Sequence, residues 1–278
     1  MNAAAKLGAY GLVLAGVLGA GAAVGEAVGP VDVGDGAAHE ADGDGHAAGS
    51  DAAALPAGGL LVSQDGFTFD VHDRTIGDQA FTFTILGPDG GAVTEYEELH
   101  ERELHLILVS RDLRQFAHVH PERDATGTWS VDLPDLTPGS YRAYADMQPA
   151  GADDLTLGID VVVPGPADTP GAPPRQGADE VDGLDVSVDG ELVAGGESEL
   201  QITVRRGGQV VETEPYLGAA GHLVAIRDGD LAYLHVHPTG DRYLVGVPSA
   251  GTYALFFDFQ VDGVVRTARF VLEAGDEH

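Results

Sequence analysis

Six histidines fall into two equal sets: His105, His118 and His120, then His222, His235 and His237, each 117 residues later. Imidazole is a neutral nitrogen ligand suited to Zn(II) and Cu(II). The paired histidines sit in two copies of one pattern, Phe116-Ala117-His118-Val119-His120-Pro121 and Tyr233-Leu234-His235-Val236-His237-Pro238. Residues i and i+2 of a strand share a face. Each copy therefore predicts two imidazoles side by side, and the proline ends the ladder. The third histidine stands 13 residues before the first of each pair. A polar turn lies between them, Ser110-Arg111-Asp112-Leu113 in one copy and Arg227-Asp228-Gly229-Asp230 in the other. A tight hairpin there would set His105 opposite His118 and His222 opposite His235, on one face. Three ligands per copy predict two ions per chain.

Each set has a candidate carboxylate. Asp146 follows Tyr141 by five residues, and Asp258 follows Tyr253 by five. Either could be a fourth ligand, could orient an imidazole, or could be a strand-end residue in ordinary hydrogen bonds. His100 could add a ligand to the first set only, since its matched position is Leu217. His72 matches Asp189 and reads as a surface residue.

The elements that must hold these residues are short strands. Phe81-Thr82-Phe83-Thr84-Ile85 alternates strictly, and similar runs recur with Gly and Pro turns between them. The repeat extends beyond the histidines: Asp65-Gly66 returns as Asp182-Gly183 and Gly90-Gly91 as Gly207-Gly208, at the same spacing of 117. Later the spacing falls to 112, as Gly139 and Tyr141 match Gly251 and Tyr253. The second copy is thus five residues shorter after its histidines. About seven strands in roughly a hundred residues is the size of an immunoglobulin-like sandwich. The expected fold is all-β, with two tandem immunoglobulin-like β-sandwiches at 59–163 and 179–274, each with its own core. Residues 164–178, rich in Pro and Gly, form a semi-stiff linker.

The N-terminal part differs. Residues 7 to 25 carry no charge and follow Lys6, so residues 1–28 read as a signal peptide or signal anchor that contacts the membrane. Residues 29–58 are low in complexity and acidic, and read as a disordered spacer. His39 and His46 within it could catch metal loosely, but read better as solvated linker residues.

Composition excludes several classes. The formal net charge is −31, with one lysine, so the surface repels nucleic acid. There is no Cys, which removes disulfides, thiolate zinc sites, blue-copper centres and iron–sulfur clusters. No nucleophile elbow, phosphate loop or HExxH pattern occurs. An enzyme is the less favoured reading.

The run from Glu103 to Pro121, with Gly139-Ser140-Tyr141-Arg142 and Asp146, resembles a family of uncharacterised bacterial secreted or membrane-tethered proteins with duplicated His-x-His-Pro domains, sometimes labelled heavy-metal-binding. The resemblance implies location and a metal role, and no known reaction. His-Val-His on a sandwich strand also resembles copper/zinc superoxide dismutase. That family's disulfide and long histidine-rich zinc loop have no counterpart here. The expected function is an extracytoplasmic copper- or zinc-binding protein, for sequestration or delivery at the cell envelope, with an envelope protein as a possible partner. The competing reading is a cell-surface interaction module whose histidines are structural.

Overall fold

Alternating apolar residues build two sheets in each repeat. The computed structural model describes residues 57–275, apart from 168–170 and 172. The segment read as a signal peptide or anchor, nearly all of the expected spacer and part of the expected linker lie outside the described residues. Among the described residues every regular element is a strand.

In repeat 1 the outer sheet runs in the order Ser63–Gln64, Phe67–Val71, Phe81–Leu86, Thr128–Val131, Glu122–Arg123. The inner sheet runs Leu155–Val163, Gly139–Pro149, Leu104–Ser110, Phe116–Val119. Phe69, Phe83, Ile85 and Trp129 of the outer sheet pack on Leu106, Leu108, Ala143 and Leu157 of the inner one. Repeat 2 is built alike. Its outer sheet orders Ala178–Val181, Leu184–Asp189, Gly196–Arg206, Arg242–Val247 and Val236–Thr239. Its inner sheet orders Leu192–Val193, Val264–Gly275, Gly251–Val261, His222–Arg227 and Tyr233–Leu234. Leu184, Leu200, Phe257 and Phe270 are among the residues of its separate core. Each repeat is thus a two-sheet β-sandwich. In each, a tyrosine hydroxyl donates to the carbonyl four residues upstream, Tyr141 to Thr137 at 2.8 Å and Tyr253 to Ser249 at 2.7 Å, and so pins the turn before a long strand.

A third core lies between the repeats. Ile107, Val109 and Tyr144 of one inner sheet meet Val224, Ile226, Ala254 and Phe256 of the other. The contacts are reciprocal at matched positions. Phe116 stacks on Phe256 with centroids 4.3 Å apart, and Tyr233 lies on Tyr144 at 5.5 Å. The four sheets therefore stack outer, inner, inner, outer. Leu104–Ser110 is buried along its whole length, because its even residues face the core of repeat 1 and its odd residues face repeat 2. This docked face is absent from the two-independent-cores expectation.

The chain enters through the same seam. Gly58 and Tyr233 exchange backbone hydrogen bonds at 2.9 Å each, while Gly59 donates to the carbonyl of Thr156 in repeat 1. Two glycines permit this approach. A Cβ on Gly158 would sit 2.0 Å from the Gly59 carbonyl oxygen, and Gly59, at φ +69°, would press a Cβ 2.5 Å from the Tyr144 ring.

Candidate metal centre between the repeats

The strand period that places Ile107 and Val109 against repeat 2 places His105 there too. The same parity carries His118 with Phe116, Asp146 with Tyr144, His222 with Val224, and Asp258 with Phe256. The predicted histidine face is therefore the face that docks, and the imidazoles gather in the seam.

The hairpin register differs from the sequence expectation. Ile107, not His105, pairs with His118, and Leu106 pairs with Val119. The reason is the length of the loop: Ser110 closes on Gln115, and Leu113 takes a left-handed conformation at φ 59°. His105 lies directly across from Asp146 on the other side, and His222 directly across from Asp258. The slip of two residues preserves the face, so the first triad still meets. His105 Nδ1 is 2.9 Å from His118 Nε2 and 3.2 Å from His120 Nε2.

The outward nitrogens of two rings are already committed. His105 Nε2 lies 2.9 Å from the Leu99 carbonyl, which can only accept, so that nitrogen carries the proton. His118 Nδ1 lies 2.7 Å from Asp258 Oδ2 and donates to it. Asp258 comes from repeat 2, and its other oxygen accepts from Thr267. Both side chains of the His118–Asp258 pair are nearly enclosed, at 2% and 4% exposure. In neutral rings these bonds leave lone pairs on His105 Nδ1 and His118 Nε2, and the two face one another.

Other predicted residues are placed differently. His222 joins the cluster of repeat 1. Its ring is parallel to His105 within 7° at 5.3 Å and lies 4.7 Å from His118. It is buried, and its Nδ1 has no hydrogen-bond partner. His118, His222 and Asp258 offer ligand atoms within 4.8 Å of one another, as do His105, His118 and His120. His100 sits against His105 and His222, with centroids at 6.0 and 5.5 Å. Asp146 accepts from Thr156 at 2.7 Å, and Tyr233 reaches it at 3.4 Å. His235 and His237 are exposed and do not join their set.

The second set is broken because its strand changes sheet early. Tyr233–Leu234 pairs with the inner sheet, but Val236–Thr239 pairs with Arg242–Val247 of the outer one. In repeat 1 the segment stays with the inner sheet through Val119, and only Glu122–Arg123 crosses. Three of the five lost residues shorten the return hairpin, since Trp129 and Tyr243 pair with the matched Phe83 and Leu200 at a spacing of 114, and the outer pairing there runs back to Val236.

Burial, joined by the His118 ring, holds His105 down at about 3, and burial likewise holds His120 at about 3. Burial also lowers His222 and His100. Below about pH 6.5 such rings take up protons in the unfolded chain while the folded chain keeps them neutral. The unfolded state then binds more protons, so stability falls with pH between about 6.5 and about 3. For His105 alone the loss from pH 6.5 to 5 amounts to roughly 1.5–2 kcal/mol. Asp146 acts in the opposite sense, because burial pushes its carboxyl up and the fold retains its proton, which offsets part of the loss. The expected melting temperature of metal-free protein is flat above pH 7 and declines from 6.5 towards 4. A melting temperature that climbs over that range would mean that the rings are charged in the fold.

Sequence reasoning missed the seam, and with it the Leu99 carbonyl and the crossing of Asp258 to His118. One signal was present. Leu104-His105-Leu106-Ile107-Leu108-Val109 is almost unbroken in apolar residues, which marks a strand buried on both faces.

Among solved structures, the chain is similar to extracellular domains 3–5 of Drosophila OTK, at 11% identity over 78% of this chain and 68% of that one, with a TM-score of 0.19. It is similar to the BSP domain of a biofilm-associated protein, at 12% identity over 75% of this chain and 29% of that one, TM-score 0.21. It is also similar to the three N-terminal domains of the highly immunogenic outer capsid protein Hoc of bacteriophage RB49, at 13% identity over 75% and 59%, TM-score 0.19. No curated protein matches the chain. Residues 62–163 and 179–276 each match one family, so the chain belongs, through both of its repeats, to the family described as Domain of unknown function (DUF8832).

Proposed function

We propose that this protein binds a transition-metal ion, copper or zinc, in the seam between two immunoglobulin-like sandwiches, and that it holds or delivers that ion outside the cytoplasm. His105 Nδ1, His118 Nε2 and His120 Nε2 would be the ligands. Such an ion would supply a positive centre at which three imidazole lone pairs converge. The observation that carries the reading is the pair of buried lone pairs, 2.9 Å apart, on rings whose other nitrogens are bound to Leu99 and Asp258. Left alone the two repel, and a cation between them relieves both. A proton would put a charge among buried rings, which burial and the neighbouring imidazoles oppose. Zinc–nitrogen bonds of about 2.0–2.1 Å at tetrahedral angles set ligand nitrogens about 3.3 Å apart, so the observed spacing needs only small adjustment.

The Asp258 carboxylate orients His118 from the other repeat, as an outer partner of a metal-bound imidazole does. The tyrosine-pinned turns support the immunoglobulin-like reading. The uncharged N-terminal run after Lys6 supports the extracytoplasmic setting.

Elemental analysis of untagged protein purified at neutral pH tests the reading. Tightly held copper or zinc is expected at one ion per chain or more. Asp258→Asn should keep the fold and weaken the ion by about 10–100-fold. Protein that takes up neither metal at micromolar concentration would leave the histidines structural and the interaction module as the better account.

A further inference from the structure

The seam contains a second half-site that is not closed. Each contact of the closed half has a counterpart by the repeat: His105 matches His222, His118 matches His235, His120 matches His237, and Asp258 matches Asp146. In the closed half, His105 Nδ1 receives His118 and His120, and His118 is held by Asp258 of the other repeat. In the open half the receiving parts are in place. His222 Nδ1 is buried without a partner, and it is the atom that corresponds to His105 Nδ1. Asp146 has one oxygen taken by Thr156, as Asp258 has one taken by Thr267. Its other oxygen has only the long contact from Tyr233. The arriving parts are displaced. His235 and His237 lie exposed with their rings 4.2 Å apart, and His235 Nε2 is 3.7 Å from Asp154 of repeat 1.

We propose that His222, His235 and His237 form a second transition-metal site, which closes when an ion draws the His235–His237 segment inward and sets His235 against Asp146. This rests on the metal reading of the first site. The second site is the weaker one. Closing it breaks the pairing of Val236 with Val245 and the bond from the Gly246 amide to the His235 carbonyl. The first site needs no such exchange. The exposed pair would catch the ion first, and the unpartnered His222 nitrogen would complete its shell.

The test is a Zn(II) titration of the full chain against a chromophoric chelator. Two ions are expected, the second held at least tenfold more weakly. His235→Ala/His237→Ala changes two exposed residues, so the fold should survive. It should remove the weaker ion and leave the tighter within about twofold. Asp146→Asn should weaken the second ion by about 10–100-fold, and Asp154→Ala should leave it nearly unchanged. One ion per chain, untouched by the double substitution, would overturn the second site. A weak ion lost with Asp154→Ala but not with Asp146→Asn would place it on the surface pair, which also overturns the proposal. No ion at all would defeat the first-site reading itself, a separate outcome.

Discussion

Ile107→Asp should split the unfolding of this chain into two transitions. Ile107 is wholly buried, yet it faces the other repeat and not its own sandwich core. Removing its side chain costs about 2–5 kcal/mol, and an unpaired carboxylate adds its own desolvation. The chain can escape most of that penalty by undocking, since Phe69, Phe83 and Leu106 on one side and Leu200 and Phe270 on the other remain packed. Undocking exposes Val224, Ile226 and Phe256 and draws Asp258 away from His118. Tight metal binding should therefore be lost along with cooperativity. Calorimetry on wild-type and variant protein decides it. One cooperative transition with a loss under about 1 kcal/mol would show that the seam contributes little to stability.

His118→Ala should release the tight ion. The effect should exceed the roughly 100-fold that loss of an outer carboxylate can cost, because a ligand nitrogen itself is gone. The substitution also orphans Asp258, whose side chain is only 4% exposed, and an unsatisfied buried acceptor costs about 1–3 kcal/mol. The two effects can be separated. His118→Ala/Asp258→Asn should recover part of the stability and none of the affinity. If the double variant recovers metal affinity, His118 is not a ligand. If the single variant binds as tightly as wild type, His120 and His222 hold the ion without it.

Much of this was legible in the residues. Strand parity placed His105, His118 and His120 on one face, and a register slip of two left that parity intact, since side chains repeat every two residues. The early change of sheet after Leu234 was not legible. It depends on a competition between two ladders for Val236–Thr239, and the motif His235-Val236-His237-Pro238 reads the same as its partner in either. The crossing of Asp258 to His118 was equally hidden, because the two residues are 140 positions apart and meet only through docking. Asp146 and Asp258 were singled out by their common distance from a tyrosine, which says where they lie on a strand but not which repeat's side chains they meet.

The reciprocal ring contacts of Phe116 with Phe256 and Tyr233 with Tyr144 have a consequence for descent. A surface on which residue i meets j and j meets i is isologous, the kind on which two identical subunits form a closed dimer. A lone repeat of this kind would present that surface to its twin and would own two equal half-sites about the axis. Joining the copies in one chain releases them from identity, because a substitution then alters one half alone. Leu217 can stand where the other half has His100, and both keep the same left-handed backbone, at φ 53° and 47°. Gene fusion would thus have let one histidine half-site stay closed while the other stayed open.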